Sequence, residues 1–152
     1  MQHRIGIIGA SGYTGMEATQ ILARHPRAQL VFLGSDRWAG RRASETLGLM
    51  GAAGALTYAP AAAWEEAELD VALLATPDDV SAELAPRLLE RGVKVIDFSA
   101  AFRSPGPAVY GLSERLREAI ARARFIANPG CYPTAILLAL APLLEAGLLL
   151  PS

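Results

Sequence analysis

The chain has 152 residues, 52% of them apolar, and a formal net charge of −1. That length suits one domain with a sizeable core, and the composition excludes a disordered chain. The interspersed, nearly balanced charge gives no nucleic-acid footprint and no polybasic membrane patch. The single cysteine excludes an internal disulfide framework and fits a reducing compartment. No signal-peptide pattern opens the sequence, and the longest apolar stretch, Ala135 to Leu144, contains Pro142 and is too short to span a bilayer. A cytoplasmic soluble protein is the expectation.

Short β-type runs alternate with helical patterns, which predicts an α/β class: a Rossmann-type doubly wound parallel sheet in three layers. Arg4 to Ile8 reads as a strand ending in glycines. Tyr13 to Arg24 reads as a helix stopped by His25-Pro26, because the residue before proline resists the helical region. Between them lies Gly9-Ala10-Ser11-Gly12-Tyr13-Thr14-Gly15. Glycines after a strand and at a helix mouth permit a tight turn and let the backbone approach a pyrophosphate resting on the helix N-terminus. The plain alternative is a tight turn with no ligand.

Gln29 to Leu33 is the second strand. Its C-terminal end is where a dinucleotide site tells a ribose hydroxyl from a 2′-phosphate. Ser35 and Arg37, with Arg41 and Arg42 beyond, favour NADP, while Asp36 pulls towards NAD. Residues 37–55 read as loop with one short helix, Leu56 to Ala59 as a minor strand, and Trp64 to Glu68 as one helical turn. Val71 to Ala75 is a buried strand. Asp79 to Arg91 is a helix capped by Asp78 or Asp79 and ended by Gly92. Val93 to Ile96 is the next strand. Ser113 to Ala123 is a helix with Ser113 as its cap, and Arg124 to Ala127 is the strand that follows.

That strand delivers Asn128-Pro129-Gly130-Cys131-Tyr132-Pro133-Thr134, which holds the only cysteine and the only asparagine. The last helix, Pro133 to Ala146, follows and is stopped by Gly147. First-turn amides of a helix are unpaired and positive, and they favour a thiolate, which can attack a carbonyl carbon. Set against this, most single cysteines are inert core residues. Thr134 stabilises the first helical turn.

Gly9 to Gly15, Asp97 to Arg103 and Ile126 to Pro142 together resemble the N-acetyl-gamma-glutamyl-phosphate reductases, the arginine-biosynthesis branch of the semialdehyde dehydrogenase superfamily. The cysteine segment carries the specific part, through Ala127, Pro129, Gly130, Cys131, Tyr132, Thr134, Ala139 and Pro142. Val80 to Pro86 adds to it. The sequence departs from the family pattern in Ala101, where an acidic residue is usual, in Asp78, where a histidine follows Pro77, and in a shorter 103–110 segment. Family members are also longer. Their second domain carries the catalytic histidine, and neither His3 nor His25 substitutes for it. Residues 1–152 are therefore expected to be the NAD(P)-binding Rossmann part, ending with the nucleophile loop and its helix, without the second catalytic and dimerisation domain.

The resemblance implies NADPH-dependent reduction of an acyl phosphate to an aldehyde. Cys131 attacks the acyl carbon and expels phosphate, and hydride from the nicotinamide then reduces the thioester. It implies cofactor contacts at Gly9, Ser11, Gly12, Tyr13, Thr14, Gly15, Ser35, Arg37, Pro77 and Ser99. Substrate contacts fall to Arg103 and Asn128, and no metal ligand is assigned. The partner is a small-molecule acyl phosphate, and full-length members are expected to be homo-oligomers. Two other readings stand beside this one: a truncated or degenerate NADP-binding module without turnover, and an aspartate-semialdehyde dehydrogenase-like enzyme. The tyrosine after Cys131 argues against the latter, which normally has a smaller residue there.

Overall fold

Ile7 and Ile8 are neighbours on one strand, so their side chains leave opposite faces, yet both are fully buried. A sheet with such strands must be covered on both sides. The computed structural model, which describes residues 2–149, has that form. Its strands are β1 (His3–Ile8), β2 (Ala28–Gly34), β3 (Val71–Leu74), β4 (Lys94–Asp97), β5 (Val109–Tyr110) and β6 (Phe125–Ala127). Among the described residues they form one sheet in the order β2-β1-β3-β4-β6-β5, with every pair parallel.

The helices are α1 (Tyr13–Ala23), α2 (Ala43–Leu47), α3 (Gly51–Ala55), α4 (Asp78–Glu90), α5 (Ser113–Arg122) and α6 (Cys131–Glu145), with a 3₁₀ helix over Ala61–Glu66. On one face Ala18 and Leu22 of α1 pack against Ile5, Ile7, Leu33 and Leu73. On the other, Ala85 and Leu88 of α4 pack with Ile8, Leu74, Val95 and Trp64. This is the expected doubly wound, three-layered α/β fold. Strand order reverses at β1, which has β2 on one side and β3 on the other. Ligands of open α/β sheets settle at such a reversal, outside the C-terminal strand ends.

Several local expectations are corrected. Residues 37–55 hold two short helices, not one. Leu56 to Ala59 forms no strand, only isolated bridges through Thr57 and Ala59. The helical turn starts earlier, at Ala61, and is 3₁₀. Neither Asp78 nor Asp79 caps α4; Pro77 occupies that position, and Asp78 Oδ1 accepts the Ala100 N–H at 2.8 Å. Leu112, not Ser113, precedes α5, and the Ser113 hydroxyl donates to Glu114. Gly92 does end α4, with a φ of +84°.

Helix α6 is apolar, yet none of its residues is buried. Ile136 and Leu140 are 53% and 42% exposed. An ion pair between Arg115 and Glu145 ties it to α5. No described helix is long and apolar enough to cross a membrane.

Candidate nucleotide and nucleophile site

The three loop glycines differ in what the fold asks of them. Gly9 has a φ of +85°, and a β-carbon there would lie 2.3 Å from the Ala75 carbonyl oxygen at the end of β3. A β-carbon on Gly15 would lie 2.3 Å from the Gly9 oxygen and 2.7 Å from Ala10 Cα. Both positions need glycine for packing alone. Gly12 does not. It sits extended at the N-cap of α1, with φ −76° and ψ 163°. A β-carbon on it would meet nothing closer than 3.4 Å. Its missing side chain leaves open space over the helix mouth, and no side chain caps that helix. Ser11 and Thr14 belong to the same turn, and Tyr13, its first helical residue, is 80% exposed.

At the end of β2, the buried Ser35 hydroxyl donates to Ser11 Oγ at 2.6 Å and accepts the Trp38 N–H at 3.1 Å. Asp36 is turned to the 3₁₀ helix, where its Oδ1 accepts the Ala61 N–H at 2.9 Å. Arg37 is exposed and makes no ion pair among the described residues. A cleft of about 290 Å³ opens here, lined by Ile8, Asp36, Ala61, Trp64, Thr76 and Val80. Pro77 follows Thr76 at the head of α4.

The second half of the edge is built from the ends of β4 and β6. Asp97, fully buried, accepts the Ser99 N–H at 3.2 Å and the Ser99 hydroxyl at 2.6 Å. The Ser99 hydroxyl in turn accepts the Ala101 N–H at 3.1 Å. The Asp97 carbonyl accepts the Asn128 N–H at 2.7 Å. Arg103 donates from Nε to the Asn128 carbonyl at 3.0 Å and from Nη2 to the Phe98 carbonyl at 2.7 Å. The Asn128 amide nitrogen donates to the Pro129 carbonyl at 3.1 Å, within its own loop.

Cys131 is the first residue of α6, exposed and free. Gly130 is the N-cap, and no side chain caps this helix either. Thr134 closes the first turn by donating its hydroxyl to the Gly130 carbonyl at 2.8 Å. The amides at the head of α6 therefore face solvent beside the sulfur.

The structure thus gathers the expected residues into two clusters on one sheet edge. Gly9 to Gly15, Ser35, Arg37 and Pro77 lie around β1 to β3. Ser99, Arg103, Asn128 and Cys131 lie around β4 and β6. Residues 4–123 match the semialdehyde dehydrogenase NAD-binding domain. The chain belongs to the semialdehyde dehydrogenase family. An N-acetyl-gamma-glutamyl-phosphate reductase from Halorhodospira halophila is 43% identical over 165 aligned positions, covering 95% of this chain and 48% of that protein. One from Neisseria meningitidis is 42% identical, covering 93% of this chain and 46% of its own length. The chain spans about half the length of the curated relatives it matches. Among solved structures, aspartate semialdehyde dehydrogenase II from Vibrio cholerae, complexed with ASA, superposes with a TM-score of 0.78 at 28% identity. It covers 96% of this chain and 47% of that one.

Two positions of this semialdehyde dehydrogenase domain escaped the sequence reading of the site. Asp97 was readable only as the first residue of the Asp97 to Arg103 motif; its burial and its grip on Ser99 come from the sheet. Asp78 looked like a helix cap and instead reaches across 22 positions to hold the Ser99-Ala100 turn.

Proposed function

We propose that this chain is the dinucleotide-binding and nucleophile-bearing part of an NADPH-dependent acyl-phosphate reductase. Its substrate would be N-acetylglutamyl 5-phosphate and its product N-acetylglutamate 5-semialdehyde, a step of arginine biosynthesis. The observation that carries the reading is the pairing of an exposed Cys131 at an uncapped helix mouth with an open glycine loop on the same sheet edge. The names of the relatives at 42–43% identity supply the substrate.

The residues present fit a dinucleotide. The gap over Gly12 and the free amides of α1 suit a pyrophosphate. The cleft beside Thr76 and Pro77 suits an adenine ring. Arg37 is free to meet a 2′-phosphate, whereas Asp36 has an oxygen committed to Ala61, which favours NADP over NAD. Ser99, held by Asp97, borders the nicotinamide end. When bound, the cofactor supplies hydride to the acyl carbon.

Cys131 is the nucleophile. Its thiolate adds to the acyl carbon, and the acyl–oxygen bond to phosphate breaks as the thioester forms. The amides at the head of α6 stabilise the oxyanion of that addition. Arg103 keeps its Nη1 protons for the substrate's anionic groups. Asn128 shapes the loop from beside it. The acting protein is a soluble homo-oligomer of the cytoplasm in this reading.

The test is mass spectrometry of the chain after exposure to N-acetylglutamyl phosphate. An adduct of one acyl group on Cys131, absent in Cys131→Ser, is the expected result. Acylation by aspartyl phosphate in preference would favour the second reading, an aspartate-semialdehyde dehydrogenase, to which the 28% identical structure lends support. No adduct from either, with NADPH still bound, would leave a nucleotide-binding module without turnover.

A further inference from the structure

The ladder between β4 and β6 ends at the pair Asp97 and Ala127. The next residue of each strand, Phe98 and Asn128, turns its carbonyl to the same guanidinium, that of Arg103. Arg103 thus joins the two carbonyls just beyond the last backbone bond of the pair, from the Asn128 N–H to the Asp97 carbonyl. The third nitrogen, Nη1, lies over the loop: a β-carbon on Gly130 would be 3.0 Å from it and 3.4 Å from Pro133 Cδ. Gly130 has φ −71° and ψ 160°, a conformation open to any residue. A side chain at position 130 would require that guanidinium, held by its two carbonyl bonds, to give by a few tenths of an ångström. The next residue is Cys131.

We propose that Arg103 is a positioning residue for the nucleophile, clamping the loop that carries Cys131 to the end of β4. This rests on the reading of Cys131 as the nucleophile and goes beyond a role for Arg103 as an anion ligand. A planar fork spans two carbonyls of fixed separation; a lysine ammonium keeps the charge but not the fork. The clamp therefore requires the guanidinium and not merely a cation.

The experiment follows hydrogen exchange of the 126–134 segment together with alkylation of Cys131 in the full chain. The reagents are neutral iodoacetamide and anionic iodoacetate. The variants are Arg103→Lys, Arg103→Met and Gly130→Ala; the last pushes on the same contact from the loop side. In all three, exchange in 126–134 is expected to quicken by about fivefold or more, the scale of one lost hydrogen bond. Exchange in β1 and β3 stays at the parent rate, and the iodoacetamide rate at Cys131 changes in step with the loop. Should Arg103→Met fail to fold, Gly130→Ala and Arg103→Lys decide alone. Parent-like exchange and iodoacetamide rates in a folded Arg103→Lys would overturn the clamp. So would a loss confined to iodoacetate, which marks a charge effect alone. Loop exchange needs no reactive thiol, so an inert Cys131 would overturn the nucleophile reading without touching this result.

Discussion

The hydroxyl of Ser35, at the end of β2, donates to the hydroxyl of Ser11 in the glycine loop after β1, at 2.6 Å. Neighbouring strand ends are thereby joined side chain to side chain beneath the proposed phosphate site. Ser35→Ala removes that bond and the one that Ser35 Oγ accepts from the Trp38 amide. The expected cost is about 1–2 kcal/mol, since each of the two part-buried bonds contributes on the order of 1 kcal/mol. Thermal unfolding followed by circular dichroism should show a midpoint lowered by roughly 3–6 °C. Calorimetric titration should show weaker NADPH binding as Ser11 loses its anchor.

Gly12 and Gly15 should separate folding from binding. Gly15→Ala drives a methyl into the Gly9 carbonyl and Ala10, and the cost is expected to reach about 3 kcal/mol, at the high end for overpacking. Gly12→Val finds room in the fold and should leave the melting temperature within a degree or two, since exposed substitutions typically change stability by about 0.5 kcal/mol or less. It should nevertheless abolish NADPH binding. Calorimetry beside thermal melts checks both; Gly12→Val with unchanged NADPH affinity would refute the assignment of the loop.

In the proposed reading, cofactor choice turns on two adjacent residues, Asp36 bonded to Ala61 and Arg37 exposed. Arg37→Ala should weaken NADPH binding about tenfold, the loss of one charge-assisted phosphate contact, and leave NADH unchanged. Asp36→Ala should leave the preference between the two nucleotides unchanged, because its carboxylate holds the 3₁₀ helix. Its effect should appear as a lowered melting temperature instead. Titrating both nucleotides into both variants gives four affinities that test the assignment.

At the opposite end of the sheet, Arg4 holds the Asp70 carboxyl below the usual carboxylate range. The side-chain hydrogen bond from the guanidinium contributes most, then the bond from the Arg4 backbone N–H at 2.7 Å. The folded value lies below the unfolded one, so ionised Asp70 adds stability above the unfolded value, and that stability is lost as pH falls through the folded one. Asp70→Asn should therefore melt slightly below the parent at neutral pH. The gap is expected to close below about pH 4, where unfolded carboxylates protonate. Both side chains are more than a third exposed, so the gap stays small and shrinks further with salt. Melts from neutral to acid pH at two salt concentrations test this.

The fold class was legible because each buried strand is a short apolar run and each crossover has helical spacing. The glycine loop was legible because its glycines are evenly spaced at a strand-to-helix junction, and the cysteine loop because it holds the only cysteine and the only asparagine at another such junction. The strand Val109–Tyr110 was not, since two residues carry no pattern and only β6 gives them a partner. The roles of Asp36, Asp78 and Arg103 were also hidden. Each of these charged side chains bonds to backbone 5 to 25 positions away in the chain, on another segment at the sheet edge. Sequence reading assigns such residues to solvent, ligand or a local cap, because the distant backbone group that claims them exists only after folding.

The glycine loop and the cysteine loop hang from β1 and β6, with β3 and β4 between them. At about 4.8 Å per strand, the edge acts as a ruler of roughly 14 Å. In the proposed reading a dinucleotide is stretched along that ruler, with its pyrophosphate at Gly12 and its nicotinamide end towards Cys131. Either half of a dinucleotide, offered alone, can occupy only its own end. The intact molecule gains by chelation, since seating one end delivers the other at high effective concentration.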